Sequence, residues 1–239
     1  MKIALIGYGK MGRAIEAIAL ERGHTIGLKI TSSNRGEFKS TDLSAYDVAI
    51  EFSRPEFAVE NISYCFDAGV PVICGTTGWL QDLEKVKDEC RKKEGSLLYA
   101  SNFSVGVNIF FELNRKLAFL MKGYPEYNVQ LEEIHHSGKK DSPSGTAISL
   151  AEDIIKELPT KHKWINELST DEDTLSIISH RIDPAPGTHM IKWSSNIDDI
   201  EIIHTAHNRK GFALGALLGA EFIIGKKGIF GMKEVLGIV

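Results

Sequence analysis

Lys2-Ile3-Ala4-Leu5-Ile6-Gly7-Tyr8-Gly9-Lys10-Met11-Gly12 is the stretch that decides the fold. Four apolar residues after Lys2 suit a short buried strand, and the glycines follow at once in the spacing Gly-x-Gly-x-x-Gly. Residues 13–22 then carry Ala14, Ile15, Ile18 and Ala19 at helical spacing, Gly23 closes that helix, and residues 25–30 read as a second strand. In this frame each glycine has a physical task. Gly7 permits a tight turn, Gly9 lets the backbone approach a pyrophosphate, and Gly12 lets the helix pack closely on the strand. The chain opens as a dinucleotide-binding unit.

The same alternation continues outward. Residues 47–51, 71–74 and 96–100 read as strands, with helices over 58–68 and 80–93 between them. Strands separated by helices argue for a parallel sheet, whose ligands lie beyond the carboxyl ends of the strands. Phe52-Ser53-Arg54-Pro55, Gly75-Thr76-Thr77-Gly78 and Ser101-Asn102-Phe103-Ser104 all fall at that edge with the glycine loop. The small residues after position 74 leave room for a nicotinamide, and Trp79 reads as a packing residue. The acid that usually closes the second strand and binds the adenine ribose is missing. In its place stands Lys29-Ile30-Thr31-Ser32-Ser33-Asn34-Arg35, which suits either a 2′-phosphate or a plain surface turn. The coenzyme is therefore NADPH or NADH, with a lean to NADPH through Lys10, Ser32, Asn34 and Arg35.

After Gly106 the pattern changes. A long helix spans 107–121, a strand 127–134 and a helix 146–158, followed by a polar excursion over 160–173. Strands over 175–182, 189–195 and 200–206 come next, the first two joined by Asp183-Pro184-Ala185-Pro186-Gly187 as a hairpin connection. Such turns predict antiparallel pairing, and the apolar helix over 212–223 is expected to return to the first domain. The expected fold class is α/β: a Rossmann-like parallel-sheet domain with a second α+β domain of mixed or antiparallel sheet. The boundaries are residues 1–106 plus 208–239 for dinucleotide binding, and 107–207 for substrate binding and oligomerisation.

Glu133-Ile134-His135-His136-Ser137-Gly138-Lys139-Lys140-Asp141-Ser142-Pro143-Ser144-Gly145-Thr146 crosses from strand to helix carrying two imidazoles and two ammonium groups. Helix-start N–H groups and the helix dipole favour an anion there. Strand alternation sends His135 and His136 to opposite faces and so to different roles. No cysteine adjoins the pair as a nucleophile and no set has zinc spacing, so no metal is expected. His204, His207 and Arg209 after the last strand, with Arg181 and His189 flanking the hairpin, stay open between pocket edge and ordinary structural roles. With 43% hydrophobic and 25% charged residues and a formal net charge of −4, nothing points to nucleic acid or membrane partners. No apolar run approaches the roughly 20 residues of a membrane span. Cys65, Cys74 and Cys90 form no CxxC pair and read as reduced thiols, which suits a cytoplasmic protein.

The sequence resembles the 4-hydroxy-tetrahydrodipicolinate reductase family, also called dihydrodipicolinate reductase, of lysine synthesis by way of diaminopimelate. Residues 133–147 match its E-x-H-H-x-x-K-x-D-x-P-S-G-T-A signature, and Gly75-Thr76-Thr77-Gly78 and Asn102-Phe103-Ser104-Val105-Gly106-Val107-Asn108 match two further motifs. Glu51-Phe52-Ser53-Arg54-Pro55-Glu56 looks like the family's D-F-[ST]-x-P-E. The glycine loop is one residue shorter than the family's common form. The resemblance implies an NAD(P)H-dependent reductase of a cyclic dicarboxylate, assembled as a homotetramer. It implies His135 as proton donor or acceptor and Lys139 as proton donor, with His136, Gly145 and Thr146 binding the substrate. The coenzyme would rest on Gly7, Tyr8, Gly9, Lys10, Met11 and Gly12, on Gly75, Thr76 and Thr77, and on Ala100, Ser101, Asn102 and Phe103. A reductase of another amino or oxo acid and a non-catalytic dinucleotide sensor are the alternatives; a sensor has no need of His135, His136 and Lys139 together.

Overall fold

The computed structural model describes residues 1–208 and 210–238. The chain begins β1 (Lys2–Ile6), α1 (Lys10–Glu21), β2 (Thr25–Ile30), a short α2 (Arg35–Phe38), β3 (Val48–Glu51) and α3 (Pro55–Asp67). It continues with β4 (Val72–Cys74), α4 (Leu83–Lys92) and β5 (Ser96–Tyr99). Then come α5 (Val105–Met121), β6 (Asn128–His135), α6 (Gly145–Glu157), β7 (Lys163–Ile165), β8 (Thr174–Arg181), β9 (Gly187–Ser194) and β10 (Asp199–Ala206). The described chain closes with α7 (Lys210–Ile223), β11 (Gly228–Phe230) and α8 (Met232–Leu236). It divides into two compact units, one running to Val105 and resuming after Asn208, the other Gly106–Asn208.

In the first unit six strands pair in the order β11-β5-β4-β3-β1-β2, all parallel. The reversal of order at β1 and β3 creates the crevice in which such sheets bind ligands. Both faces are covered. Ile62, Phe66 and Val86 pack on one face, while Ile15, Ala216 and Leu217 pack on the other. That is why β3 and β4 carry unbroken buried runs rather than alternation. Helix α1 begins at Lys10, three residues before the span 13–22 read from the sequence, because the glycine loop itself supplies the first turn. β11 and α8 lie beyond the last element read from the sequence.

The second unit holds five strands in the order β10-β9-β6-β8-β7. Here one sequence expectation fails. β8 and β9 follow one another across the Pro-rich turn but do not pair; β6 lies between them, parallel to β8 and antiparallel to β9. The hairpin is instead β9–β10, with Asp199 opposite Ser194 and Ala206 opposite Gly187. The sheet is therefore mixed. The polar stretch over 160–173 is also not wholly irregular, since β7 pairs with β8 inside it. β6 alternates strictly, with Val129, Leu131, Glu133 and His135 on the buried face. β9 does the same with Gly187, His189, Ile191 and Trp193. Leu131, Ile191 and Trp193 join Leu150 and Ile154 of α6 in one apolar core. Because the two strands are antiparallel, the ionisable end of the β6 row, Glu133 and His135, lies beside His189 near the start of β9, and the apolar parts of both rows share the core.

Candidate active site

The first unit carries a cavity of about 270 Å³ lined by Gly7, Tyr8, Gly9, Ser32, Arg35 and Phe52, among others. Gly7 has φ +95°, and a Cβ there would lie 2.1 Å from the Phe52 carbonyl oxygen, so no other residue fits the turn. At Gly12 a Cβ would lie 2.8 Å from the Gly7 carbonyl oxygen, which is the close helix approach its position requires. A Cβ at Gly9 would meet nothing within 4 Å, leaving that backbone open to a pyrophosphate at the start of α1. These residues fit a dinucleotide.

Of the other residues expected at the coenzyme, Lys10, Met11 and Gly12 open α1, and Gly75 and Ala100 extend the sheet edge. Gly75 N–H donates to the Glu51 carbonyl and Ala100 N–H to that of Cys74. Thr76 is buried, with its carbonyl accepting from the Trp79 indole, while Thr77 and Ser101 are exposed. Asn102 accepts from the Ser104 N–H through its side chain. Phe103 is 2% exposed with its ring against Phe52, so only its backbone is placed to face a ligand. Asn34 is turned inward: its side chain accepts from the Thr31 N–H and donates to the Lys29 carbonyl, holding the turn. Arg35 stacks on Phe57, 3.5 Å from the ring centroid, and pairs with Glu60. Phe57 and Glu60, which locate this guanidinium, carried no signal in the sequence.

In the second unit the site is built by register. Glu133 of β6 stands opposite His189 of β9 and Ser179 of β8, so three strands bring three polar side chains into one row. His135, two residues along β6, shares the face of Glu133. Glu133 is fully buried, a placement that costs several kcal/mol unless a carboxylate is well partnered. Its Oε1 accepts from the Ser144 N–H at 3.0 Å and the Ser179 hydroxyl at 2.8 Å. Its Oε2 lies 3.5 Å from His135 Nδ1 and 3.6 Å from His189 Nε2. Burial alone would raise this carboxyl, but the His189 imidazole, Ser144 and Ser179 outweigh it and hold it down to about 2. Burial pushes His135 the other way for an imidazole, down to about 4, against the attraction of Glu133.

Glu133, His135 and His189 place ligand-type atoms within 4.8 Å of one another, and no pattern in the sequence joined them. The carboxylate is already engaged by the Ser144 N–H and the Ser179 hydroxyl, and the two imidazoles border it as a polar frame. His136 is not part of it. It follows the last residue of β6 and is half-buried. Lys139 turns back on Asp141, with Nζ 2.7 Å from the carboxylate, which holds Asp141 below its ordinary range. The loop is pinned at both ends: Ser137 donates to Asp183, and Arg181 donates to the Asp141 carbonyl at 2.6 Å. Ser144 caps α6 by accepting from the Ala147 N–H and also meets His189 Nε2 at 3.2 Å. Gly145 and Thr146 are the first residues of that helix. Arg181 and His189 thus both lie against the Glu133 carboxylate. His204 stacks against Phe110, whereas His207 is exposed and Arg209 lies outside the described residues.

Comparison with known proteins agrees with this architecture. The family model for the N-terminus of dihydrodipicolinate reductase matches residues 1–103, and that for its C-terminus matches residues 106–236. The chain is 49% identical over 238 residues to the 4-hydroxy-tetrahydrodipicolinate reductase of Christiangramia forsetii, covering 99% of this chain and 98% of the relative. It is 30% identical to the protein of the same name from Neisseria meningitidis, covering 100% and 98%. Among solved structures, a dipicolinate-bound dihydrodipicolinate reductase from a Paenisporosarcina species has the same fold, with TM-score 0.74, 21% identity and 98% coverage of both chains. The glycine cradle, the mixed sheet and the His-His-Lys crossing therefore sit in a chain that belongs to the dihydrodipicolinate reductase family.

Proposed function

We propose that this chain is a 4-hydroxy-tetrahydrodipicolinate reductase, forming (S)-2,3,4,5-tetrahydrodipicolinate, NAD(P)⁺ and water on the diaminopimelate route to lysine. The dinucleotide is held by residues 1–106 plus 208–239 and the substrate by 107–207. The bound coenzyme supplies a hydride to the conjugated imine left when the hydroxylated precursor loses water. The chain must then hold two substrate carboxylates and deliver one proton.

The observation that carries the reading is the Glu133–His135 frame standing next to the Lys139 loop and the start of α6. Lys139 is the donor in this reading. Asp141 holds its ammonium in place, and the Lys139 charge acts on His135. Positive charge near the reacting ring stabilises a transition state in which electrons arrive on the substrate. Gly145 and Thr146, at the helix start, receive one substrate carboxylate, and His136 touches the same anion. A homotetramer is supported by the edge strand β10, where Ile203 is 56% exposed and Ile200 38%. Three buried free thiols support a cytoplasmic setting, and among the described residues no helix is long and apolar enough to cross a membrane.

The test is the fall of NAD(P)H absorbance with the condensation product of pyruvate and aspartate semialdehyde made in situ. Turnover that requires both precursors is expected. Oxidation of the coenzyme by an acyclic amino or oxo acid alone would reject the reading. Light scattering on the eluting protein should give four copies.

A further inference from the structure

The Glu133 carboxylate is asymmetric in its surroundings. Oε1 takes the Ser179 hydroxyl and the nearer branch of the Ser144 N–H, 3.0 Å against 3.2 Å to Oε2, and has Arg181 at 3.8 Å. Oε2 faces the two imidazoles, His135 Nδ1 at 3.5 Å and His189 Nε2 at 3.6 Å. His135 is 7% exposed, and its Nδ1 has no hydrogen-bond partner. A buried ring nitrogen in that position either carries its proton toward the carboxylate or points a lone pair at a negative charge. The second arrangement is strongly disfavoured where solvent is excluded. The opposite nitrogen, Nε2, looks toward Gly187, where a Cβ would come within 3.1 Å of it. The missing side chain at Gly187 leaves that nitrogen uncovered.

We propose that Glu133, buttressed by His189, is a positioning residue that holds His135 as the Nδ1–H tautomer, so that Nε2 offers a lone pair at the Gly187 edge. This deepens the reductase reading and rests on it for its role in turnover. It divides the labour between the two groups assigned to proton handling. In the resting enzyme His135 presents Nε2 as an open acceptor, and the proton of turnover comes from Lys139. The charges acting on His135 are those of Glu133, His189, Lys139 and Arg181; Glu133 is the only anion among them and lies on the Nδ1 side. A second consequence is a link to the substrate anion site. The carboxylate that orients His135 also grips the Ser144 N–H, and Ser144 caps the helix whose start receives the substrate carboxylate.

The tautomer is read directly from long-range ¹H–¹⁵N correlation spectra of the ¹⁵N-labelled full chain without ligands at pH 7.5, with His135 assigned by its loss in His135→Asn. A protonated Nδ1 and unprotonated Nε2 are expected. A proton on Nε2 in the wild-type protein would overturn the proposal. That outcome is distinguishable from failure of the reductase reading, because no substrate is present. Glu133→Gln supplies the kinetic arm. With its carbonyl oxygen kept on the Ser179 hydroxyl and the nearer Ser144 N–H contact, its NH₂ turns toward both imidazoles and inverts the His135 tautomer. Tautomer inversion in a Ser-His-Asp triad costs about 10⁴-fold; here kcat should fall by about 10²-fold or more, the lower end of acid–base catalysis, with coenzyme KM unchanged. Glu133→Asp keeps the charge and should retain the Nδ1–H signature. A folded E133Q chain with wild-type kcat would reject the positioning role. Should that chain fail to fold, the wild-type spectrum decides alone.

Discussion

Acidification offers a quantitative check on how His135 is buried. Its folded pKa lies near 4, with burial as the main cause, against a reference of about 6.5 in the unfolded chain. A depressed value means that the folded state refuses a proton the unfolded state accepts. The stability tied to His135 is therefore complete above about pH 6.5 and is lost as the pH falls toward about 4. At pH 5 the unfolded side chain is almost fully protonated and the folded one hardly at all, which corresponds to about 2 kcal/mol of lost stability. Glu133 titrates lower, between its ordinary 4.5 and about 2, so pH 5 separates the two groups. The perturbation is His135→Asn, which removes the titration. Urea unfolding of both proteins at pH 7 and pH 5 should show the gap between them shrinking by about 2 kcal/mol at the lower pH. Other depressed histidines such as His204 contribute equally to both proteins and cancel. A gap that does not change with pH would show that His135 is not held neutral by its surroundings.

Three further outcomes follow from the site. Lys139→Ala should lower kcat by about 10²–10⁴-fold, the range of general acid catalysis, with NAD(P)H binding unchanged by fluorescence titration. Arg35→Ala should weaken NADPH relative to NADH by about tenfold or more, since a charged hydrogen bond is worth about 1.5–3 kcal/mol; steady-state KM values for both coenzymes check this. Thr146→Val and Ser144→Ala should part company. The first should raise the substrate KM at near-normal Tm, and the second, which removes the N-cap, should cost about 0.5–2 kcal/mol in thermal or urea unfolding.

Much of the first unit is legible because its signals are local. The span of β2 agrees residue for residue with its reading, and Gly7 and Gly12 occupy the tight places their spacing assigns. β6 likewise shows its alternation, so that Glu133 and His135 can be placed on one face from sequence alone. Phe103 and Asn34 show the limit of motif reading. Each lies in an expected segment, yet burial takes the Phe103 ring and an internal turn takes the Asn34 amide.

What only the tertiary structure decided is which distant strands meet. The Pro-rich turn after Arg181 looks like a hairpin, but strand order answers to burial on the whole sheet, and β6 enters between β8 and β9. That insertion brings His189 and Ser179 to Glu133 from 56 and 46 residues away along the chain, by register and not by any local pattern. The glycine loop could be read because a turn is made by consecutive residues. The frame around His135 could not, because pairing energy between strands depends on side chains across the sheet, and these are far apart in sequence.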